Sequence, residues 1–529
     1  MSLRGGQPKG VNVRRDASLE YISRRRLIRD VVGLMALAGA CCHRRTVPGS
    51  TVRILYGTDE RIFAPAADDV PKFLLFLPLV AFESDEDWSC RRPTPGLAAD
   101  WVHSPDFRTW TMHLRRDVRW HDGVPVTAHD IKFTMDLWRH PDVQHWALGP
   151  LESITVLDDY TFRAVYTKPS RQLLDGWSVF YPQHLLKDLD PQQFWKWDFW
   201  TRPVGNGPYR YVRHVPNTMM EFEANPDFYR GHPQVEHLIV KFGGGTSLME
   251  LLGGSVDAIA SISSLDAAKL AQDPRFRVDY HSPPTGVRIF WNHRNPLFRN
   301  ATIRRALTQA INRRELHGVL NLPGDLPITD GIFTACQFQR RHVTEPWPYD
   351  PDESRRVLEQ AGWRDRDGNG VRRRDGRAFA FTVLAPNDWL QAAEAAVFIQ
   401  DQLRRVGVRM EVQLLSRSTV GELVRAGKFE AAIWTAPASA EFLAEFFGER
   451  STVGYSNPRV ANLIGAATEA MEEEELDHLY AELSPIFHTD MPATFLYPKV
   501  DTSAAHRRVG GTDGDWFMYA DRLWLEDER

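Results

Sequence analysis

Val118-Arg119-Trp120-His121-Asp122-Gly123-Val124-Pro125-Val126-Thr127-Ala128-His129-Asp130 is the stretch on which the reading of this chain turns. Just upstream, Thr109 to Leu114 alternates: Trp110, Met112 and Leu114 share one face, Thr111 and His113 the other. That period of two belongs to a half-buried strand. Arg115-Arg116-Asp117 turns the chain and Val118 to Trp120 runs onward. Asp122-Gly123 is a turn signal. Thr127 and Asp130 form a capping box, in which the hydroxyl caps the first helical turn and the acid three residues later answers it. The helix behind it carries Ile131, Met135, Leu137 and Trp138. His121-Asp122 has the look of a catalytic couple, but no Ser or Cys partner can be named, so a structural role is expected.

Outward from this block, strand and helix signals alternate along the chain, an α/β or α+β pattern. Ile154 to Val156 and Tyr160 to Tyr166 flank Leu157-Asp158-Asp159 as a hairpin. Asp352 to Gln360 reads as a helix stopped at Gly362. Ala392 to Val406 reads as another, ended by Gly407, with Val408, Met410, Val412 and Leu414 alternating as the next strand. There is no internal repeat and no low-complexity linker. The domains are therefore expected to interlock, with the chain crossing between them more than once.

At 529 residues the chain has room for about three to four domains of roughly 150 residues. Its net charge of -5 conceals an asymmetry. Residues 1–46 hold ten basic and three acidic groups, so the remainder stands at -12. A body that acidic argues against a nucleic acid partner, because phosphate binding needs a basic face. With 43% hydrophobic and 25% charged residues the composition is that of a globular protein. Seventeen Trp exceed what such a core requires.

The basic leader reads as an address. Ser23-Arg24-Arg25-Arg26-Leu27-Ile28-Arg29 precedes a short apolar run from Val31 to Ala40, then Cys41-Cys42. The run falls short of the ~20 residues a spanning helix needs, so residues 1–46 are expected to be a signal peptide. The arginines resemble the twin-arginine export motif. Leu37-Ala38-Gly39-Ala40-Cys41 looks like a lipoprotein cleavage box with one residue too many, which makes Cys41 and Cys42 candidates for lipidation. The expected location is periplasmic or extracytoplasmic, with or without a lipid tether. Cys90 and Cys336 either form one disulfide or remain two thiols.

Catalytic motifs are missing. The chain has no His-Glu-x-x-His pair, no Gly-x-Ser-x-Gly elbow and no Gly-Lys-Ser/Thr loop. Gly243-Gly244-Gly245-Thr246-Ser247 lacks a Lys and reads as a strand-to-helix turn. Asp365-Arg366-Asp367-Gly368-Asn369-Gly370 imitates the first half of a calcium loop, but position 12 is Gly376 rather than the chelating Glu, and a Gly-rich hairpin is the better reading. Glu472 to Glu475 reads as a solvated helix face. The 18 His are scattered, so neither a metal site nor a cofactor is expected.

Several segments together resemble one family. Pro95-Gly96-Leu97-Ala98-Ala99-Asp100-Trp101, Trp110 to Leu114, Val118 to Asp130 and Phe133 look like the signature of the solute-binding proteins that serve oligopeptide and dipeptide ABC importers. Gly205-Asn206-Gly207-Pro208-Tyr209 with Asn225-Pro226-Asp227-Phe228-Tyr229 resembles that family's second block, and Leu251 to Asp257 a further one. Asn292, Phe298, Ile303-Arg304-Arg305-Ala306-Leu307 and Ala310-Ile311-Asn312-Arg313 resemble the third. Tyr349-Asp350-Pro351 with Leu358 to Gly362 resembles the fourth, and Gly454-Tyr455-Ser456-Asn457-Pro458 comes late, as in the family. The matches run in order over roughly residues 53–500.

The resemblance implies a two-lobed periplasmic-binding-protein fold, type II, of the large cluster with an extra inserted domain and a hinge between the lobes. It places lobe 1 in residues 50–78, 205–292 and 503–529, the inserted small domain in 79–204, and lobe 2 in 293–502. The implied protein is monomeric, captures a peptide-like or other small polar solute in the cleft and hands it to ABC permease subunits. Peptide-binding members hold the ligand's amino group on an Asp in a Trp-x-x-Asp-Pro-Asp-like run. Here that run reads Trp434-Thr435-Ala436-Pro437-Ala438-Ser439-Ala440, without the Asp, which leaves room for sugars, opines or modified peptides. Trp434, Trp291 and Asn292 are the expected cleft residues, followed by Tyr56 and Tyr455. Trp195, Trp197 and Trp200 are expected to pin two domains together rather than stack on a ligand. The rival readings are an exported hydrolase working in the cleft, or a sensor that kept the fold without a permease.

Overall fold

The alternating segments assemble into three sheets of four or more strands. The computed structural model describes residues 50–526 apart from 58–71, 85–90, 144–147, 175–177, 244–246, 282–284, 325, 331–344, 388, 438, 512–515 and 518–519. The leader with Cys41 and Cys42, and both Cys90 and Cys336, lie outside the described residues.

The largest sheet has seven strands in the spatial order Phe276–His281, Asp501–His506, Ala258–Ile259, Thr51–Tyr56, His237–Phe242, Met219–Ala224, Tyr209–Val215. Thr51–Tyr56 runs parallel to both of its neighbours, and the other pairings are antiparallel. A five-stranded sheet follows the order Arg409–Leu415, Ala380–Pro386, Ala431–Pro437, Thr285–Trp291, Ala493–Pro498. A four-stranded antiparallel sheet of Ala98–His103, Thr109–Leu114, Thr161–Tyr166 and Leu151–Asp158 holds the block that opened the sequence reading. Trp110, Met112 and Leu114 are buried there, as their alternation requires.

The capping box forms as read. The Thr127 amide donates to the Asp130 carboxylate at 2.8 Å, ahead of the helix Ala128–Trp138. The second Asp130 oxygen accepts from the Gln183 amide at 2.8 Å, so one buried acid ends two orphan donors. The glycines of the second block work by close approach. A Cβ on Gly205 would sit 1.9 Å from the Leu75 carbonyl oxygen. In its absence Asn206 and Gly207 donate to that oxygen at 2.8 and 2.7 Å, and Leu77 donates to the Asn206 side chain at 2.8 Å. This clasp ties the segment entering the small sheet to the segment leaving it.

One continuous apolar cluster joins the seven- and four-stranded sheets, with Val52, Ile54, Phe222 and Leu238 in contact with a network that includes Trp110, Ile131 and Trp138. Two more clusters cover the two faces of the five-stranded sheet. Its Thr285–Trp291 strand reads as a near-continuous apolar run because both faces are covered. Val287, Ile289 and Trp291 enter one cluster and Phe290 the other.

Two short segments connect the large sheet to the five-stranded one: residues 282–284, and Lys499-Val500. Thr285 and Lys499 are neighbours, since the Lys499 amide donates to the Thr285 carbonyl at 2.8 Å. The expected boundary at 292/293 is therefore displaced. Thr285–Trp291 belongs to the five-stranded sheet through full registers with Ala431–Pro437 and Ala493–Pro498. The Trp cluster also differs from expectation. The indole nitrogens of Trp195, Trp197 and Trp200 donate to the carbonyls of Asp142, Asp190 and Phe194, and their ring partners come from Tyr181 to Trp200. They pack within the small segment, Trp197 buried, Trp200 half-buried and Trp195 exposed, instead of bridging two domains.

Arg373–Arg374 and Arg377–Ala378 pair as a hairpin across Asp375-Gly376, both of which have positive φ, 52° and 77°. Such a turn suits Asp-Gly, and the hairpin reading of this loop holds. Among the described residues no group of three or more His, Cys, Asp or Glu could hold a metal ion, and no helix is long and apolar enough to cross a membrane.

Candidate functional site

Strand direction decides which residues can reach a space between the lobes. The Thr285–Trp291 strand starts at the crossing segments and runs away from them, so Thr285 and its partners Pro437 and Pro498 mark the crossing end. Trp291 lies at the opposite end. It is fully buried, its indole donates to Thr494 Oγ1 at 3.1 Å, and its ring lies 4.9 Å from that of Phe298. Asn292 is also buried, donating to the Gly427 and Phe429 carbonyls at 3.2 and 2.6 Å and accepting from the Arg294 amide at 3.1 Å. Neither is available to a solute. Both are structural residues of the five-stranded sheet.

Tyr455 is also placed elsewhere. It lines a depression of about 380 Å³ with His293, Arg304 and Asp490, and its hydroxyl donates to the Asp490 carboxylate at 2.5 Å. Asn457 donates to the same carboxylate at 3.0 Å, while Arg304 donates to the Met491 carbonyl at 2.8 Å. This network fixes the end of the helix Glu473–Asp490.

Of the two remaining expected residues, Tyr56 stands at a crossing-side end and Trp434 in the middle of its strand. Tyr56 closes its strand half-buried, edge-on to Phe517 at 5.2 Å. Trp434 sits directly opposite Arg288, on the same face, and packs half-buried over Gly421 and the cluster of Phe290 and Val420. Arg288 is buried with its guanidinium 5.6 Å from the Phe495 ring centre, and desolvation pushes its pKa down to about 9.

The largest cavity described lies elsewhere on the same divide. It has a volume of about 940 Å³. One wall is the loop from Lys168 to Gln172, which follows the Thr161–Tyr166 strand of the small sheet, together with Pro150. The other wall comes from three helices that pack on the five-stranded sheet. The start of Ala440–Phe447 contributes Ser439, Ala440, Glu441 and Ala444. The end of Pro458–Glu469 contributes Ala467 to Ala470, and Glu473–Asp490 contributes Leu476 and Tyr480. Met471 lines the cavity too and packs against the core cluster of the large sheet, so the two bodies touch at its edge. Burial pushes the Tyr480 phenol well up, and the charge of Glu441 adds to the effect. A second contact between the bodies is polar: Gln391, in the first turn of Leu390–Arg404, donates to Ser264 Oγ at 2.6 Å. None of the five residues expected from sequence lines this cavity.

Residues 92–450, more than half of the chain, match the model of Bacterial extracellular solute-binding proteins, family 5 Middle. The chain belongs to this family. A candidate ABC transporter peptide-binding protein of Brucella ovis is 27% identical over 340 residues, 62% of this chain and 61% of its own. The match thus spans about three fifths of that relative. Among solved structures, the oligopeptide-binding protein AppA of Bacillus subtilis in complex with a nonapeptide superposes with a TM-score of 0.72 at 20% identity, covering 90% of this chain and 99% of its own. The binding protein AgaA of A. tumefaciens R10 in complex with agropinic acid gives 0.69 at 18%, covering 90% and 99%. These likenesses establish the two-lobed binding-protein fold.

Proposed function

We propose that this chain is the solute-capturing component of an ABC importer: it encloses a small polar or peptide-like solute between its lobes and delivers it to a membrane permease. The observation that carries the reading is the cavity of about 940 Å³ walled by two bodies that the chain joins at two places, between His281 and Thr285 and at Lys499-Val500, with Thr285 and Lys499 hydrogen-bonded. Such a connection permits hinge closure, which removes a ligand from water and changes the outer surface that a permease reads. The volume suits a solute of drug-like to oligopeptide size. Relatives bind a nonapeptide in one case and agropinic acid in another, so the fold accommodates either class. The family is one of binding proteins, and the chain is read as a binder rather than a catalyst.

The further parts of the reading come from sequence. They are export by the twin-arginine route, removal of residues 1–46, lipidation at Cys41 or Cys42, and a monomeric working state. Lobe 1 is assigned to the body of the seven- and four-stranded sheets and lobe 2 to residues 285–498. Trp434, in mid-strand, and Tyr56, at a crossing end, are retained as secondary ligand contacts. The test is mass spectrometry of solutes released from protein purified out of its exporting host, paired with X-ray scattering with and without them. A bound solute that reduces the radius of gyration is expected. Turnover of that solute, or binding without closure, would overturn the assignment.

A further inference from the structure

We propose that a pocket at the outer end of the five-stranded sheet, lined by Arg294, Arg425 and Arg450, binds a phosphate-like oxyanion, apart from the space between the lobes. The inference does not rest on the solute-capture reading, and its failure would leave that reading standing.

The place follows from the strands. Thr285 and Pro437 mark the crossing end of their pair, and Trp291 opposite Ala431 marks the far end. At about 3.4 Å per residue, the two ends of such a strand lie roughly 20 Å apart. Ser439 of the large cavity follows the first end, whereas Arg294 follows the second. At that far end a pocket of about 320 Å³ is lined by the three arginines with Gly427, Ser451 and Thr452. Among the described residues no carboxylate lines it.

Arg294 is held before any ligand arrives. Its Nη1 donates to the Thr452 carbonyl at 2.8 Å and its Nη2 to the Ser451 carbonyl at 2.9 Å. The side chain lies where two glycines leave room. A Cβ on Gly454 would come within 2.7 Å of Arg294 Cγ, and one on Gly427 within 3.4 Å of Nη1. A guanidinium has five N–H donors, so three remain on a group whose rotamer is already fixed. The carbonyls beside the pocket have donors of their own and do not invite a cation. That of Gly427 accepts from Asn292, and those of Glu422, Leu423 and Val424, at the end of the helix Arg417–Arg425, accept from the amides of Ala426, Lys428 and Gly427. Arg425 reaches Glu445 only at 3.8 Å, an exposed pair of little strength. Arg450 and the Thr452 hydroxyl make no ion pair or hydrogen bond among the described residues.

Three guanidiniums and no lining acid set the chemistry. Arginine forks match the oxygens of phosphates and carboxylates two at a time. A carboxylate has oxygens for one fork, whereas a tetrahedral dianion can meet all three. The volume is near the lower bound of ligand pockets, enough for a phosphate that carries a small organic group.

The test uses the full chain, with inorganic phosphate and glycerol phosphate as probes and chloride at matched ionic strength as the control. Binding is read by calorimetry and by melting temperature. Phosphate should bind and raise the melting temperature, and chloride should not. The double variant Arg425→Gln with Arg450→Gln should lose phosphate affinity about tenfold or more. Both residues are exposed, so an unchanged melting temperature without phosphate controls for folding. Arg294→Lys keeps the charge and loses the fork, and a similar loss is expected. Flotation with phosphatidylglycerol vesicles, compared with phosphatidylcholine vesicles, separates two sources of the same chemistry. Flotation that the double variant abolishes assigns the pocket to a lipid headgroup, and binding of glycerol phosphate without flotation assigns it to soluble phosphate esters. An equal response to chloride, or phosphate affinity unchanged in the double variant, overturns the inference.

Discussion

His121 shows how a residue with catalytic looks becomes a fastener. Its Nδ1 accepts from the Gly205 amide at 3.2 Å, which leaves Nε2 to donate to the Gly207 carbonyl at 3.1 Å. Only the neutral ring does both. Burial pushes its pKa down to about 4. At His293 burial, reinforced by the Arg304 charge, pushes it to about 3, and the ring contacts the Pro492 carbonyl at 3.0 Å. Both would titrate near pH 6.5 in the unfolded chain, so unfolding takes up protons below that pH. The stability they contribute is complete above about pH 6.5 and is lost as pH falls toward 4 for His121 and 3 for His293, of order 2–4 kcal/mol each at the acid end. Urea midpoints should thus drop between pH 6.5 and 4, and less steeply in His121→Asn; equal slopes would remove His121 from the account. Gly205→Ala tests the same clasp from the other side. Its Cβ would meet the Leu75 oxygen at 1.9 Å, and a loss of about 3 kcal/mol or more is expected in urea unfolding. These fasteners were visible in the sequence as motifs, but their partner, the Leu75 carbonyl, belongs to a segment about 130 residues earlier.

At the scale of elements, several family blocks are helix caps. Asp350 accepts from the Glu353 amide at 2.8 Å, with Pro351 in the first turn. Asn457 accepts from the amides of Arg459 and Val460, with Pro458 following. Asp350→Ala should cost about 1 kcal/mol by chemical denaturation. Gly465, on the exposed side of Pro458–Glu469, has open space where a side chain would begin, with nothing within 4 Å of an added Cβ, so Gly465→Ala should stabilise by about 0.5–1 kcal/mol. A melting temperature lowered by that change would count against the helix. Caps, turns and alternation are short-range, which is why the elements were legible. The cleft residues were less so. A strand has two ends with identical local chemistry, and nothing within Thr285–Trp291 says that the crossing lies at Thr285 rather than beside Trp291. Lys168, Arg171, Glu441 and Glu469 escaped for a related reason: in sequence, a charged loop or helix face reads as solvated, and only the fold brings segments 270 or more residues apart to one cavity.

For the whole molecule, the contact from Gln391 to Ser264 joins the two bodies away from the crossing segments. One hydrogen bond shifts an open–closed balance by roughly two- to tenfold. Gln391→Ala should enlarge the ligand-free radius of gyration and weaken solute affinity by that factor, read by scattering and calorimetry, with the melting temperature unchanged. The crossings themselves have a different consequence. Phe276–His281 and Asp501–His506 are register partners, with His281 opposite Asp501, and residues 285–498 hang between them like a long loop on a hairpin. Thr285 and Pro498 are likewise neighbours across their own sheet. Residues 285–498 can accordingly be spliced out as a cassette, leaving two strand ends that a tight turn would join, and grafted between the same ends of a related scaffold. A protein built so can exchange half of its binding wall as one continuous stretch of gene, without re-routing the rest of the chain.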